Sequence, residues 1–155
     1  MVLIKKAQKE DLEKILELQY LAYQSEAKLF DNMDIPPLKQ TIEEVYDEFQ
    51  KGTILKAVDD GGTIIGSVRA YQENGTVYIG KLMVHPKMQR KGIGRKLLIE
   101  IENEYPNKRY ELFTSHYSQL KGKAKPIKVF GQAFFKRLAG CRDGVLLAEG
   151  IHKPF

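Results

Sequence analysis

Apolar residues along this chain recur with two different periods, and the changes of period mark its elements. Val2-Leu3-Ile4 is a short apolar run suited to a strand. From residue 10 to about 23, Leu12, Ile15, Leu16, Ala22 and Tyr23 fall on one face at helical spacing. Glu10 and Asp11 in the first turn complement the helix dipole. The pattern frays near Leu29-Phe30-Asp31-Asn32, and Asp34-Ile35-Pro36-Pro37 reads as a loop because proline disfavours helix on both sides. Thr41-Ile42-Glu43-Glu44 has the form of a capping box. Ile42, Val45, Tyr46 and Phe49 then form a second helical stripe, closed by Gly52.

The period then shortens to that of strands. Residues 53–58 and 64–71 are separated by Asp59-Asp60-Gly61-Gly62, and Glu73-Asn74-Gly75 turns the chain into residues 76–85. The three form an antiparallel meander. Pro86 stops the last strand. A basic, glycine-containing turn follows, and then a helix from about 95 to 105 with Leu97, Leu98 and Ile101 on its buried face. Pro106-Asn107 breaks that helix before the strand Tyr110-Glu111-Leu112-Phe113-Thr114. A right-handed connection makes this strand parallel to the one before the helix.

The strand–turn–helix stretch from Lys81 to Leu98 carries the chemistry. A helix start leaves its first amides unpaired and partly positive, so it suits an anion. Gly92 and Gly94 let that anion approach the backbone, and Arg90, Lys91, Arg95 and Lys96 add charge at the rim. The spacing is neither G-x-x-x-x-G-K-[ST] nor G-x-G-x-x-G. It reads Gln89-x-x-Gly92-x-Gly94, preceded by Val84-x-Pro86. This resembles the acetyl-CoA-binding motif of the GNAT superfamily of N-acetyltransferases, from Leu3 to about Ser115.

That resemblance implies an α/β (α+β) fold: a central mixed, mostly antiparallel twisted sheet flanked by helices, with one parallel strand–helix–strand unit, in a single domain over 1–155. It implies an N-acetyltransferase moving an acetyl group from acetyl-CoA to a primary amine of a small molecule or protein. The cofactor-binding residues would be Leu82, Met83 and Val84, whose amides would pair with the pantetheine arm, and Gln89, Arg90, Lys91, Gly92, Ile93, Gly94 and Arg95 at the pyrophosphate. An N–H on that strand would also polarise the thioester carbonyl. The region of the first two helices would form much of the acceptor site, with Tyr20, Tyr23, Phe30 and Tyr46 as wall candidates, although core packing is the commoner role for each.

From about residue 117 the resemblance weakens. Gln119-Leu120-Lys121-Gly122-Lys123-Ala124-Lys125-Pro126 reads as a basic flexible segment. Ala133-Phe134-Phe135-Lys136-Arg137-Leu138 can be laid on the family's last helix, which places Phe135 where the family commonly has the tyrosine that protonates the leaving thiolate. Phenylalanine cannot do so, and Tyr117 is the nearest alternative acid. Val145-Leu146-Leu147-Ala148 reads as a last strand, whose edge could pair two copies as a homodimer. An altered reading frame would also give such a composition shift. The usual glutamate base is absent from Tyr78-Ile79-Gly80-Lys81, which leaves Glu73, Glu111, His85 or a water relay; Cys141 lacks an activating neighbour.

Composition narrows the alternatives. Residues 119–155 hold eight basic and two acidic residues, while the first 118 hold 17 and 18, so the basicity belongs to the tail. That tail lacks the interleaved aromatics and any motif of a nucleic-acid binder. No apolar run approaches the ~18 residues of a membrane span, no leader pattern opens the chain, and one cysteine suits a reducing cytoplasm. Three scattered histidines and one cysteine make no metal-ligand spacing. The competing function is an acyl-CoA-binding module without turnover, favoured by Phe135 and the missing strand glutamate.

Overall fold

A computed structural model of the chain describes residues 1–29, 36–106, 108–115 and 124–130. In chain order the elements are β1 (Leu3–Lys6), α1 (Leu12–Leu29), α2 (Ile42–Lys51), β2 (Thr53–Val58), β3 (Ile64–Glu73), β4 (Thr76–Val84), α3 (Ile93–Glu104), β5 (Arg109–Ser115) and β6 (Ala124–Phe130). The strands form one six-stranded sheet in sequence order. Every neighbouring pair is antiparallel except β4–β5, which is parallel across α3. The mixed sheet with one parallel unit is the architecture the sequence pattern implies.

α3 covers one face of the sheet. Its Ile93, Leu97, Leu98 and Ile101 pack with Leu55, Val68, Ala70, Val77, Ile79, Leu82 and Val84. α1 and α2 cover the other, where Ile15, Leu16, Tyr23 and Val45 meet Ile54 and Met83. β2, β3 and β4 therefore have apolar groups on both faces, which is why they read as nearly continuous apolar runs. Among the described residues no helix is long and apolar enough to cross a membrane.

Several boundaries differ from the sequence pattern for local reasons. A single 3-10 turn at Lys9–Asp11 precedes α1, held by the Gln8 N–H donating to the Asp11 carboxylate at 2.7 Å. At α2 only half of the capping box forms. Thr41 Oγ1 accepts from the Glu44 N–H at 3.3 Å, but the Glu44 carboxylate takes the Thr41 hydroxyl rather than a backbone N–H. α3 begins at Ile93 instead of about 95, which places Gly94 inside the helix.

The larger correction is β6. Ala124-Lys125-Pro126 is not a flexible segment: it opens a strand that runs antiparallel to β5, from Ser115↔Ala124 to Arg109↔Phe130. Among the described residues β6 pairs on one side only, and a strand so placed tolerates Pro126 because it needs no N–H on its outer side. The expected helix over 133–138, the strand at 145–148, Tyr117, Phe135 and Cys141 lie outside the described residues.

Candidate functional site

The ladder between β4 and β5 runs only from Thr76↔Arg109 to Ile79↔Leu112. β4 continues to Val84, and β5 continues to Ser115 paired with β6. Past Ile79 the two strands part, and no described strand pairs with Gly80 to Val84 on that side. The His85 N–H donates to Ile65 O on β3 at 2.8 Å. Because strand residues face alternate sides, Leu82 and Val84 turn their N–H and C=O toward the open side and Met83 turns its own toward β3.

The turn after β4 is built to reach α3 without a side-chain cap. His85 Nδ1 accepts from the Lys87 N–H at 3.1 Å and starts the 3-10 turn Pro86–Met88. Gln89 Nε2 reaches back to Val84 O at 3.4 Å, tying the turn to the strand end. Arg90 and Gly92 both have positive φ, 64° and 79°. Gly92 is the N-cap of α3 and supplies no capping hydrogen bond. The Lys96 N–H makes the first helical bond, to Gly92 O at 3.1 Å. The amides of Ile93, Gly94 and Arg95 therefore form the exposed start of the helix dipole. Arg90, Lys91, Arg95 and Lys96 are all exposed around it.

β4 carries a bulge beside the open edge. Ser67 pairs with Met83 and Arg69 with Gly80, so Lys81 and Leu82 together face the single residue Val68. Lys81 absorbs the extra length with φ 51°. Its side chain enters a buried polar cluster under α1 and α2. Glu48 Oε2 accepts from Arg69 Nη1 at 2.6 Å, and Glu48 Oε1 accepts from Gln40 Nε2 at 2.7 Å. Lys81 Nζ stands 3.5 Å from the same Oε1. Gln19 Oε1 accepts from Arg69 Nη2 at 2.8 Å, and Gln40 Oε1 from Arg69 Nη1 at 3.0 Å. Arg69 Nε has no hydrogen-bond partner among the described residues. Burial lowers the pKa of both cations and Glu48 works against it; Arg69 adds to the lowering at Lys81. Arg69 keeps its proton regardless, since a guanidinium does not deprotonate in proteins.

On the same sheet face, one step along, Tyr71, Tyr78 and Glu111 line up across β3, β4 and β5. The tyrosine rings stack with centroids 5.1 Å apart. Burial, then Glu73, Tyr78 and Glu111, raise the Tyr71 pKa. Glu111 is held by Arg109 Nη2 at 3.2 Å.

Residues 10–120 match the family model described as the acetyltransferase (GNAT) family. The chain belongs to the GNAT acetyltransferase family. Among curated proteins no sequence matches it. Solved structures share the fold at low identity. The PaiA N-acetyltransferase of Thermoplasma acidophilum, in complex with coenzyme A, is 18% identical over 73% of this chain and 80% of its own, with TM-score 0.56. A GNAT family acetyltransferase of Brucella melitensis, in complex with acetyl-CoA, is 18% identical over 88% of this chain and 98% of its own, with TM-score 0.57. An N-acetyltransferase of Staphylococcus aureus is 21% identical over 78% and 79%, with TM-score 0.54.

The GNAT motif residues named from sequence fall together: Leu82 and Val84 on the open edge of β4, Gln89 to Gly92 in the turn, and Ile93 to Arg95 in the first turn of α3. Met83 lies under α1 instead, buried in the second core. Gly94 is buried in the first turn of α3, where its contribution is its backbone amide. Of the wall candidates, Tyr23 is fully buried, Tyr20 donates its hydroxyl to Gln40 O, and Phe30 lies outside the described residues. Tyr46 lines a hollow of about 730 Å³ between α1 and α2, beneath the Lys9 ammonium and away from the open edge. The Lys81 cluster was missed from sequence. Glu48 lies one turn beyond Val45 on the apolar stripe of α2, and Arg69 interrupts an otherwise apolar strand; those two placements were the available signal.

Proposed function

We propose that this GNAT protein is an N-acetyltransferase that moves an acetyl group from acetyl-CoA to a primary amine of a small molecule or protein. The observation that carries the reading is the open edge of β4, joined by the short turn over residues 85–92 to the uncapped start of α3. Leu82 and Val84 offer an extended segment a strand's worth of donors and acceptors, as an added strand would find at a sheet edge. The pantetheine arm of acetyl-CoA is such a segment, with two amides of its own. The amides of Ile93, Gly94 and Arg95, the dipole of α3, and the Arg90, Lys91 and Arg95 side chains suit its pyrophosphate. Gln89 holds the turn against Val84, so strand edge and anion site keep a fixed separation. The coenzyme A and acetyl-CoA complexes of the Thermoplasma and Brucella relatives support the same ligand here.

The co-substrate brings the activated thioester, and the protein supplies orientation and polarisation. An amide on the open edge polarises the thioester carbonyl in this reading. The acceptor amine approaches on the α1/α2 face over Tyr71 and Tyr78, which stay partly exposed there. Tyr71, Tyr78 and Glu111 form the floor of that approach. Tyr117 is the proposed acid for the departing thiolate.

Titration calorimetry with acetyl-CoA tests the binding half, with micromolar affinity, about −8 kcal/mol, as the expected result. Thiol release across a panel of primary amines tests turnover. Absence of binding removes the whole reading. Binding without thiol release for any amine leaves an acyl-CoA-binding module in its place.

A further inference from the structure

We propose that His85 positions the pyrophosphate turn for acetyl-CoA, and that it does so only while its imidazole is neutral. The inference rests on the acetyl-CoA reading above and adds a residue and a condition to it. His85 stands where β4 ends and the turn begins, and its backbone is pinned on both sides. Its N–H donates to Ile65 O on β3 at 2.8 Å, and its C=O accepts from the Met88 N–H at 2.8 Å. The next residue is Pro86, which has no N–H to offer. The Lys87 N–H is therefore the first donor of the turn, and His85 Nδ1 accepts it at 3.1 Å. The ring does here what the side-chain oxygen of serine or asparagine does at a helix N-cap.

That bond is part of what ties the turn to the sheet. Beside it stand the Met88 bond and the longer, 3.4 Å reach of Gln89 Nε2 to Val84 O. After Gln89 the chain passes through Arg90 and Gly92, both at positive φ, before α3 starts without a side-chain cap. The direction in which the Ile93, Gly94 and Arg95 amides point is thus inherited from residues 85–89. A ligand that binds only the formed turn loses affinity in proportion to the fraction of chains that hold it.

A backbone N–H can only donate, so the bond fixes the tautomer, with Nδ1 bare and the proton on Nε2. An imidazolium donates from both nitrogens and would set its own N–H against that of Lys87. Histidine is the side chain whose ordinary charge change falls between about pH 5 and 8. Protons reach this ring, because it is half-buried and lines a hollow of about 440 Å³ between α1 and the start of β3. The charged groups that share the hollow are Lys14 and Glu17 of α1, of opposite sign; the β2–β3 connection brings Gly61, Gly62 and Thr63, and β3 brings Ile64. On the turn itself Lys87 is exposed. Simple attraction between an imidazolium and a pyrophosphate predicts tighter binding in acid. Loss of the turn predicts weaker binding, so the sign separates the two.

Two measurements test this. The first needs no ligand: nitrogen NMR of histidine-labelled protein, assigned with His85→Asn, reads the tautomer at neutral pH. The expected result is an unprotonated Nδ1. The second is titration calorimetry with acetyl-CoA across the range from about pH 8 down to about pH 5.5. At the upper end His85→Ala binds roughly three- to tenfold more weakly than wild type, the usual scale for a lost cap. His85→Asn restores most of that loss, because its amide oxygen accepts the N–H two residues on. Toward the lower end wild-type affinity falls relative to His85→Asn by a similar factor. Taking the ratio of the two cancels the titration of the coenzyme's own phosphate. A protonated Nδ1 at neutral pH, or His85→Ala binding like wild type, overturns the proposal. So do wild-type and His85→Asn curves that run parallel, or a wild type that gains on His85→Asn in acid. A wild type that shows the expected tautomer and binds no acetyl-CoA at any pH overturns the reading beneath the proposal instead.

Discussion

Replacing Glu48 with alanine is the sharpest test of how this sheet is tied to its helices. The variant removes the acceptor from three buried donors at once: Arg69 at 2.6 Å, Gln40 at 2.7 Å and Lys81 at 3.5 Å. Both cations are nearly inaccessible, with side-chain exposures of 0% and 6%, so water cannot replace the carboxylate without opening the interface. Breaking a buried pair in this way costs about 3–5 kcal/mol. With a urea slope of about 2 kcal/mol/M, the unfolding midpoint falls by about 2 M. The loss depends on pH. Folding lowers the Lys81 pKa, so between its folded value and its ordinary ~10.4 the unfolded chain binds more protons and stability rises with pH. Without Glu48 that pKa falls further, so the deficit is largest where an unsupported Lys81 would have to stay charged and shrinks toward pH 10. Glu48→Met combined with Arg69→Met removes both members of the short pair and recovers most of the loss. Urea unfolding at several pH values reads all of this. A Glu48→Ala cost below about 1 kcal/mol, or a double variant no more stable than the single one, would refute the account of the cluster.

Three further expectations can be checked alongside it. Gly92→Asn keeps the fold, because asparagine tolerates positive φ, whereas Gly92→Glu places a carboxylate at the start of α3 and weakens acetyl-CoA binding about tenfold or more, ~1.4 kcal/mol; equal affinities by calorimetry would remove Gly92 from the site. Gly52→Ala puts a methyl group 2.2 Å from Ala70 O and 2.9 Å from Tyr71 Cβ, so β2 and β3 must shift and the melting temperature drops by several degrees; an unchanged value contradicts the packing at that edge. Asp11 sits 2.7 Å from Lys56, and although burial alone would raise its pKa, Lys56 and the Gln8 N–H bring it below the ordinary value. Its contribution is present above the unfolded pKa and lost as pH falls through the folded one. Asp11→Asn therefore costs about 1 kcal/mol at neutral pH and little in strong acid, as urea unfolding at both pH values would show.

The strand–turn–helix order was legible because it is written locally: Pro86 ends β4, Gly92 turns the chain, and Leu97, Leu98 and Ile101 repeat at helical spacing. The mostly antiparallel sheet followed from short turns such as Glu73-Asn74-Gly75 and from the single long crossover before β5. β6 was hidden because lysines and Pro126 depress strand propensity, and only pairing with β5 reveals it as a strand. The bulge at Lys81 was hidden for a related reason. A lysine between apolar residues reads as an exposed position on an alternating strand, whereas here it is buried by residues from α2 and β3 that are 33 and 12 positions away. Long-range polar networks of this kind leave only oddly placed charges in the sequence, and Glu48 and Arg69 are two of them.

The bulge also decides how packing is shared out along β4. Val77 and Ile79 before it and Leu82 and Val84 after it all join the core under α3. Their spacing is that of a plain alternating strand with one residue too many. A chain shortened by deleting Lys81 would still present the same four apolar side chains to α3, now in unbroken register with β3. The sheet therefore has no use of its own for the eighty-first residue, and β4 can be written as a regular strand plus an insert. Such an insert leaves the pairing with β3 and the packing under α3 intact on either side of it.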